Sequence, residues 1–104
     1  MPQETRSVTA YAQNDSANGN PIVIRRQVDI PAGWRYISHE MKILKENPRG
    51  GSGKRWWVTV DFARKPHTGR IDAVWVEAKA GIKDSFGPSV WVGVQLDVVM
   101  ESVF

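Results

Sequence analysis

The chain of 104 residues is 41% hydrophobic, holds five tryptophans and no cysteine, and carries a formal charge of +3. That length fits one domain with a two-layer core, and the lack of cysteine excludes disulfides, thiolate zinc sites and thiol catalysis. No apolar run approaches the roughly 18–20 residues of a membrane span, and Met1-Pro2-Gln3-Glu4-Thr5-Arg6 has no apolar signal stretch, so a cytoplasmic location, or export without a conventional signal, is expected.

Residues 1–6 are expected to fray. Ser7 to Gln13 alternates weakly, with Val8 and Ala10 in phase and Tyr11 out of it, and reads as a short edge strand. The stretch from Asn14 to Pro21 is a loop, being almost wholly Asn, Asp, Ser, Gly and Pro; its Asn14-Asp15-Ser16 sequon is a chance match where no signal precedes it. Ile22 to Ile30 is a strand, with Ile22, Ile24, Val28 and Ile30 on one face and Val23, Arg25, Gln27 and Asp29 on the other. Arg26 is its one misfit, and Pro31-Ala32-Gly33 ends it.

Trp34 to Leu44 fits two conformations. As a strand it places Ile37, His39, Met41 and Ile43 on one face and Trp34, Tyr36, Ser38, Glu40 and Lys42 on the other; as a helix it sets Ile37, Met41 and Leu44 on one stripe. Its aromatic and β-branched start favours the strand. Residues 47–54, rich in glycine and serine, form a mobile connector. A strand follows from Arg55 or Trp56 to Phe62, with Trp56, Val58, Val60 and Phe62 inward. The turn Arg64 to Gly69 leads into a strand from Arg70 to Lys79, and Ala80 to Pro88 turns again into a last strand from Ser89 to Val99 or beyond. There Val90, Val92, Val94, Leu96, Val98 and Met100 hold one parity over six positions, which makes this the firmest core element.

Five or six strands without a convincing helix give an all-β protein, a single-domain antiparallel β-sandwich spanning 1–104, with a small closed β-barrel as the alternative. Strands adjacent in sequence tend to pair, so the last three are expected to form a meander.

Three segments repeat one device: Trp57-Val58-Thr59-Val60, Trp75-Val76-Glu77-Ala78 and Trp91-Val92-Gly93-Val94. Each sets small apolar residues on one parity and a tryptophan with polar or small neighbours on the other, hence an apolar face with an indole on its reverse. Burying an indole removes about 150–250 Å² from water, worth several kcal/mol at about 25 cal/mol per Å². The chain itself, a second subunit or a stacking ligand are the three ways of covering the rings. A sugar suits the last, because its C–H face packs on indole while its hydroxyls need Asp, Glu or Gln beside the ring. The ligand-binding set is therefore Trp57, Trp75, Trp91, Asp61, Glu77, Gln95 and Asp97, in a lectin-like, non-catalytic and oligomeric carbohydrate-binding protein. Second comes a structural or assembly protein with the tryptophan face as its subunit interface.

Other motifs carry less. Gly50-Gly51-Ser52-Gly53-Lys54-Arg55 resembles a phosphate loop, yet Pro48 and Arg55 stand where that pattern requires glycine and a hydroxyl residue. His39 and His67 are isolated, so no metal or other cofactor is expected. Asp61 and Glu77 share a face, as an acid–base pair must, but an open sheet face desolvates a carboxyl too little to raise its pKa, and no enzyme is inferred. From Lys42 to Arg70 eight basic residues face two acidic ones. Lys54, Arg55, Arg64, Lys65 and Arg70 are the candidates for binding an anionic polymer, a nucleic acid or sulfated glycan. Asp61, Glu77 and Asp97 on the tryptophan parity repel phosphate and disfavour nucleic acid.

Overall fold

The computed structural model describes residues 2–50 and 55–104. The described residues are all-β, with six strands among them: β1 (Gln3–Asn14), β2 (Ile22–Asp29), β3 (Trp34–Asn47), β4 (Trp56–Arg64), β5 (Ile71–Ala80) and β6 (Val90–Ser102). They form two antiparallel three-stranded sheets, ordered β1-β6-β3 and β2-β5-β4, and neither sheet is closed. The arrangement is sandwich-like, with β6 and β5 central. Among the described residues no helix is long and apolar enough to cross a membrane.

The valine parity explains the central strands. Val90 to Met100 at alternate positions, with Val74, Val76, Ala78 and Ala80 of β5, are fully buried between the sheets. Ala10 and Ala12 complete the layer from β1, Val28 and Ile30 from β2 and the residue after it. The molecule measures 56 × 26 × 16 Å with a radius of gyration of 16.3 Å, against roughly 13 Å for a compact chain of this length. It is a thin slab, because two three-stranded sheets of long strands make a core only one layer deep.

The two long sides of the slab differ. On one, β1 and β2 lie against each other, whereas β3 and β4 on the opposite side hardly approach. Side-chain size accounts for this. Ala10 and Ala12 let the sheets converge, while Trp34 and Tyr36 of β3 and Trp56 and Phe62 of β4 hold the other side apart. Asn14, 3% exposed, secures the closed side: its Nδ2 donates to the Asn20 and Ala80 carbonyls and its Oδ1 accepts from the Ser16 N–H. On the open side the inner residues Val58, Val60 and Phe62 are only half-buried, and the Phe62 ring meets Tyr36 and His39 edge to face, each with centroids 5.4 Å apart.

Four expectations are corrected. The start of the chain does not fray: Gln3 to Arg6 pair with Val98 to Glu101, because β6 runs long enough to receive them. Tyr11 is in phase, facing outward between inward Ala10 and Ala12. The last three strands are no meander; β4 pairs with β5, but β6 crosses to the other sheet between β1 and β3. Trp34–Leu44 is strand rather than helix, yet its parity changes, since register shifts between Tyr36 and Ser38 and between Ile43 and Lys45 leave Ile37 and Leu44 as bulges. Trp34 and Tyr36 thereby join His39, Met41 and Ile43 on the inner face. The expected 47–54 connector begins in β3 at Asn47, its next three residues form a bend and turn, and 51–54 lie outside the described residues.

Candidate functional site

The three tryptophans face outward, as the parity requires, but on opposite sides of the slab. Register defines each surface, since residues opposite one another share a face. On the β2-β5-β4 sheet the outer rows are Val23–Lys79–Trp57, Arg25–Glu77–Thr59, Gln27–Trp75–Asp61 and Asp29–Ala73–Ala63. Trp75 therefore sits at the centre of a flat surface, flanked by the amide of Gln27 and the carboxylate of Asp61. Trp57 lies two rows along, at the β4 edge. Four of the seven sequence-derived residues, Trp57, Trp75, Asp61 and Glu77, come together here.

The indoles are partly covered by basic side chains of their own sheet. The Arg25 guanidinium lies 3.9 Å from the Trp75 ring centroid, and the Lys79 ammonium 5.2 Å from that of Trp57. At exposed positions such cation–π contacts contribute about 0.5–1 kcal/mol, which fixes the rings without sealing them. Trp57 remains 41% exposed and Trp75 is half-buried. Gln27 donates to the Asp29 carboxylate at 2.9 Å, and Asp61 accepts from the Phe62 N–H at 2.8 Å. The face thus offers two aromatic platforms bordered by fixed donors and acceptors: two cations, three carboxylates, an amide and the Thr59 hydroxyl.

Trp91, Gln95 and Asp97 lie on the other outer surface, that of β1-β6-β3, a correction to a seven-residue site. The cause is the crossing of β6, which carries its outward parity to the far side. Trp91 is flanked by Gln13 and Asn47, and the next row is Tyr11–Gly93–Lys45. Gly93 makes room there: a Cβ would stand 3.1 Å from Lys45 Cγ and 3.4 Å from the Tyr11 ring, whose centroid lies 4.3 Å from the Lys45 ammonium. Further along, Asp97 accepts from the Ser7 hydroxyl at 2.5 Å and from the Gln95 amide at 2.8 Å. The Ser7 bond first, then the Gln95 bond, hold its carboxyl below the ordinary carboxylate value.

The five candidate anion-binding residues do not form one patch. Arg55 pairs with Asp84 at one end of β4, and Lys54 lies outside the described residues. Arg64, Lys65 and Arg70 sit at the other end, about 30 Å along a nine-residue strand. Arg64 donates to the Gly69 carbonyl at 2.9 Å and lies 5.8 Å from the Phe62 ring, while Arg70 donates to the Trp34 carbonyl.

Sequence reasoning missed Arg25 and Gln27 as neighbours of Trp75. Their outward parity was readable, but the pairing of β2 with β5, across some 45 residues of chain, was not. Of the concavities, one of about 380 Å³ follows Ile43 to Arg49 and one of about 140 Å³ lies among Asn47, Pro48, Arg55, Asp84, Gly87 and Pro88; neither includes a tryptophan. The indole face is a platform, not a pocket. No protein family, curated protein or solved structure matches the chain.

Proposed function

We propose that the protein is a non-catalytic carbohydrate-binding module whose binding surface is the outer face of the β2-β5-β4 sheet. One observation carries the reading: Trp75 lies half-buried on a flat sheet between Gln27 and Asp61, with Arg25 on its ring and Trp57 and Glu77 nearby. A core position would surround that indole with apolar side chains, whereas hydroxyl-binding groups surround it here. A pyranose ring stacks on Trp75, its hydroxyls bonding to Asp61, Gln27 and Glu77. Arg25 either swings aside, at a cost of about 0.5–1 kcal/mol, or donates to the sugar from the rim. A shallow platform of this kind suits a chain of sugars better than one, because each unit adds contact along the face.

A glycan array probed with the intact protein tests this, with binding repeated on soluble polysaccharide. Glycan binding lost in Trp75→Phe/Asp61→Ala and kept in Trp91→Phe is the expected result. The absence of any glycan ligand, together with a Trp75 emission that shifts to the blue as concentration rises, would instead assign this face to a subunit interface.

A second reading rests on a separate observation. Arg64, Lys65 and Arg70 gather on the β4–β5 turn beside the Tyr36, His39 and Phe62 rings, an arrangement of cations and aromatic edges that suits an anionic polymer. Heparin or single-stranded DNA binding that falls steeply with salt, and is lost in Arg64→Ala/Lys65→Ala/Arg70→Ala, would select it.

A further inference from the structure

Each three-stranded sheet leaves two unpaired edges, and exposed edges invite pairing with another chain unless something blunts them. Three of the four edges are blunted. The β1 and β2 edges lie against each other on the closed side. Edge β3 carries the two bulges at Ile37 and Leu44 and five charges, Arg35, Glu40, Lys42, Lys45 and Glu46. Bulges and charges are standard ways of refusing a partner strand.

Edge β4 is barer, with its one irregularity at its end, between Ala63 and Arg64. Its register is regular from Trp56 to Ala63, it holds no proline, and Asp61 is its only charge before Arg64. Its residues are mostly strong strand formers, Trp56, Trp57, Val58, Thr59, Val60 and Phe62. Trp56, Val58, Val60 and Phe62 face the core yet stay half-buried: Phe62 meets Tyr36 and His39 at one end and Trp56 donates to the Pro48 carbonyl at the other, while the β3 backbone stands away from the strand.

We infer that the β4 edge is a self-association surface, and that a second copy of the chain pairs with it antiparallel about a twofold axis at Val60. The sequence of β4 is self-complementary in that register. On the inner face Val60 meets the other copy's Val60, Val58 meets Phe62, and Trp56 comes beside Arg64, just past its register slip. On the outer face Thr59 meets Asp61 and Trp57 meets Ala63. No like charges oppose one another, and each apolar residue meets an apolar residue or a cation. Arg64 already lies 5.8 Å from its own Phe62 ring, so an arginine–aromatic contact is within its habit. The exposed Ile37, Met41 and Leu44 of β3 flank the same side and add apolar surface. A twofold interface must be self-complementary, and this edge meets that condition where the bulged edge of β3 does not.

The pairing would join the two β2-β5-β4 sheets into one of six strands, with the indoles of both copies on one continuous outer face. It does not depend on the nature of the ligand proposed above. An edge of nine residues is about 30 Å long, so the contact belongs to the small class of specific interfaces, below about 1,200 Å² in total, and association is weak. The concentration series must therefore reach hundreds of micromolar.

Sedimentation equilibrium on the full chain, with far-ultraviolet circular dichroism to confirm the fold, reads the association. The expected result is a mass that rises with concentration toward twice that of the chain. Thr59→Asp places two pairs of like charges across the axis and should weaken association about tenfold, and adding Asp61→Lys should restore it. Single cysteines in this cysteine-free chain locate the axis: with copper-catalysed air oxidation, Val60→Cys should form disulfide dimers much faster than Val58→Cys, whose partner residue is Phe62. A chain that stays monomeric throughout the series overturns the inference. So does association unaffected by Thr59→Asp, or cross-linking no faster at Val60 than at Val58.

Discussion

The two outer faces of the slab are built from the same device, a tryptophan on the reverse of a valine strand, and they come out differently. Around Trp75 the neighbours are an amide, carboxylates, a hydroxyl and a guanidinium laid on the ring, so the indole stands among groups that can bind hydroxyls. Around Trp91 the neighbours are Gln13 and Asn47, and the adjoining surface is taken up by the chain itself, with Tyr11 and Lys45 folded over Gly93. An outward tryptophan is thus not a site. What separates the two is the chemistry of the adjoining rows: Arg25, Glu77 and Thr59 beside Trp75, and Tyr11 and Lys45 stacked on each other beside Trp91.

Substitutions can break this comparison, and the largest effect lies in what the faces share. Leu96 is fully buried beneath the β6 face, and Leu96→Ala should cost about 2–5 kcal/mol. If both faces rest on one cooperative core, urea unfolding followed by a Trp75 reporter and by a Trp91 reporter will give the same shifted midpoint. Asn14→Ala comes next. It strips the Ser16 N–H and the Asn20 and Ala80 carbonyls of their partner and should cost about 1–3 kcal/mol, read in the same unfolding experiment.

Smaller effects sharpen the contrast. Arg25→Ala should uncover Trp75 and shift its emission to the red while costing about 0.5–1 kcal/mol, and leave Trp91 emission unchanged. The other face has a matching acid-side probe in Asp97. Its folded pKa is depressed, so the stability it contributes is complete above the ordinary carboxylate pKa and is lost as pH falls through the lowered value. Ser7→Ala removes the leading cause and should move the Asp97 titration, followed by carboxyl NMR shifts, upward toward the ordinary value.

Much of the fold was legible in the chain because a period of two is hard to disguise in long strands. The alternating valines of β6 and β5 identified the buried layer residue by residue, and the outward parity of Trp57, Trp75, Asp61 and Glu77 followed from it. What remained hidden was long-range pairing. Local sequence cannot say that β6 crosses between β1 and β3, and that crossing alone moves Trp91, Gln95 and Asp97 away from the others. The bulges in β3 were hidden for a similar reason: a shift of one residue looks like an imperfect alternation until a partner strand fixes the register. Arg55 and Arg64, grouped by sequence as candidates for one anion-binding set, proved distant in space, because a single extended strand separates them.

In the proposed function one outer face binds sugar chains and the other does not. Calorimetric titration of a soluble polysaccharide into the intact protein, Trp75→Phe/Asp61→Ala and Trp91→Phe tests it most directly, once an array has supplied the glycan. The prediction is a loss of about tenfold or more in the first variant, equivalent to about 1.4 kcal/mol, with the Trp91 variant indistinguishable from the parent. Equal losses in both variants, or a loss confined to Trp91→Phe, would contradict it.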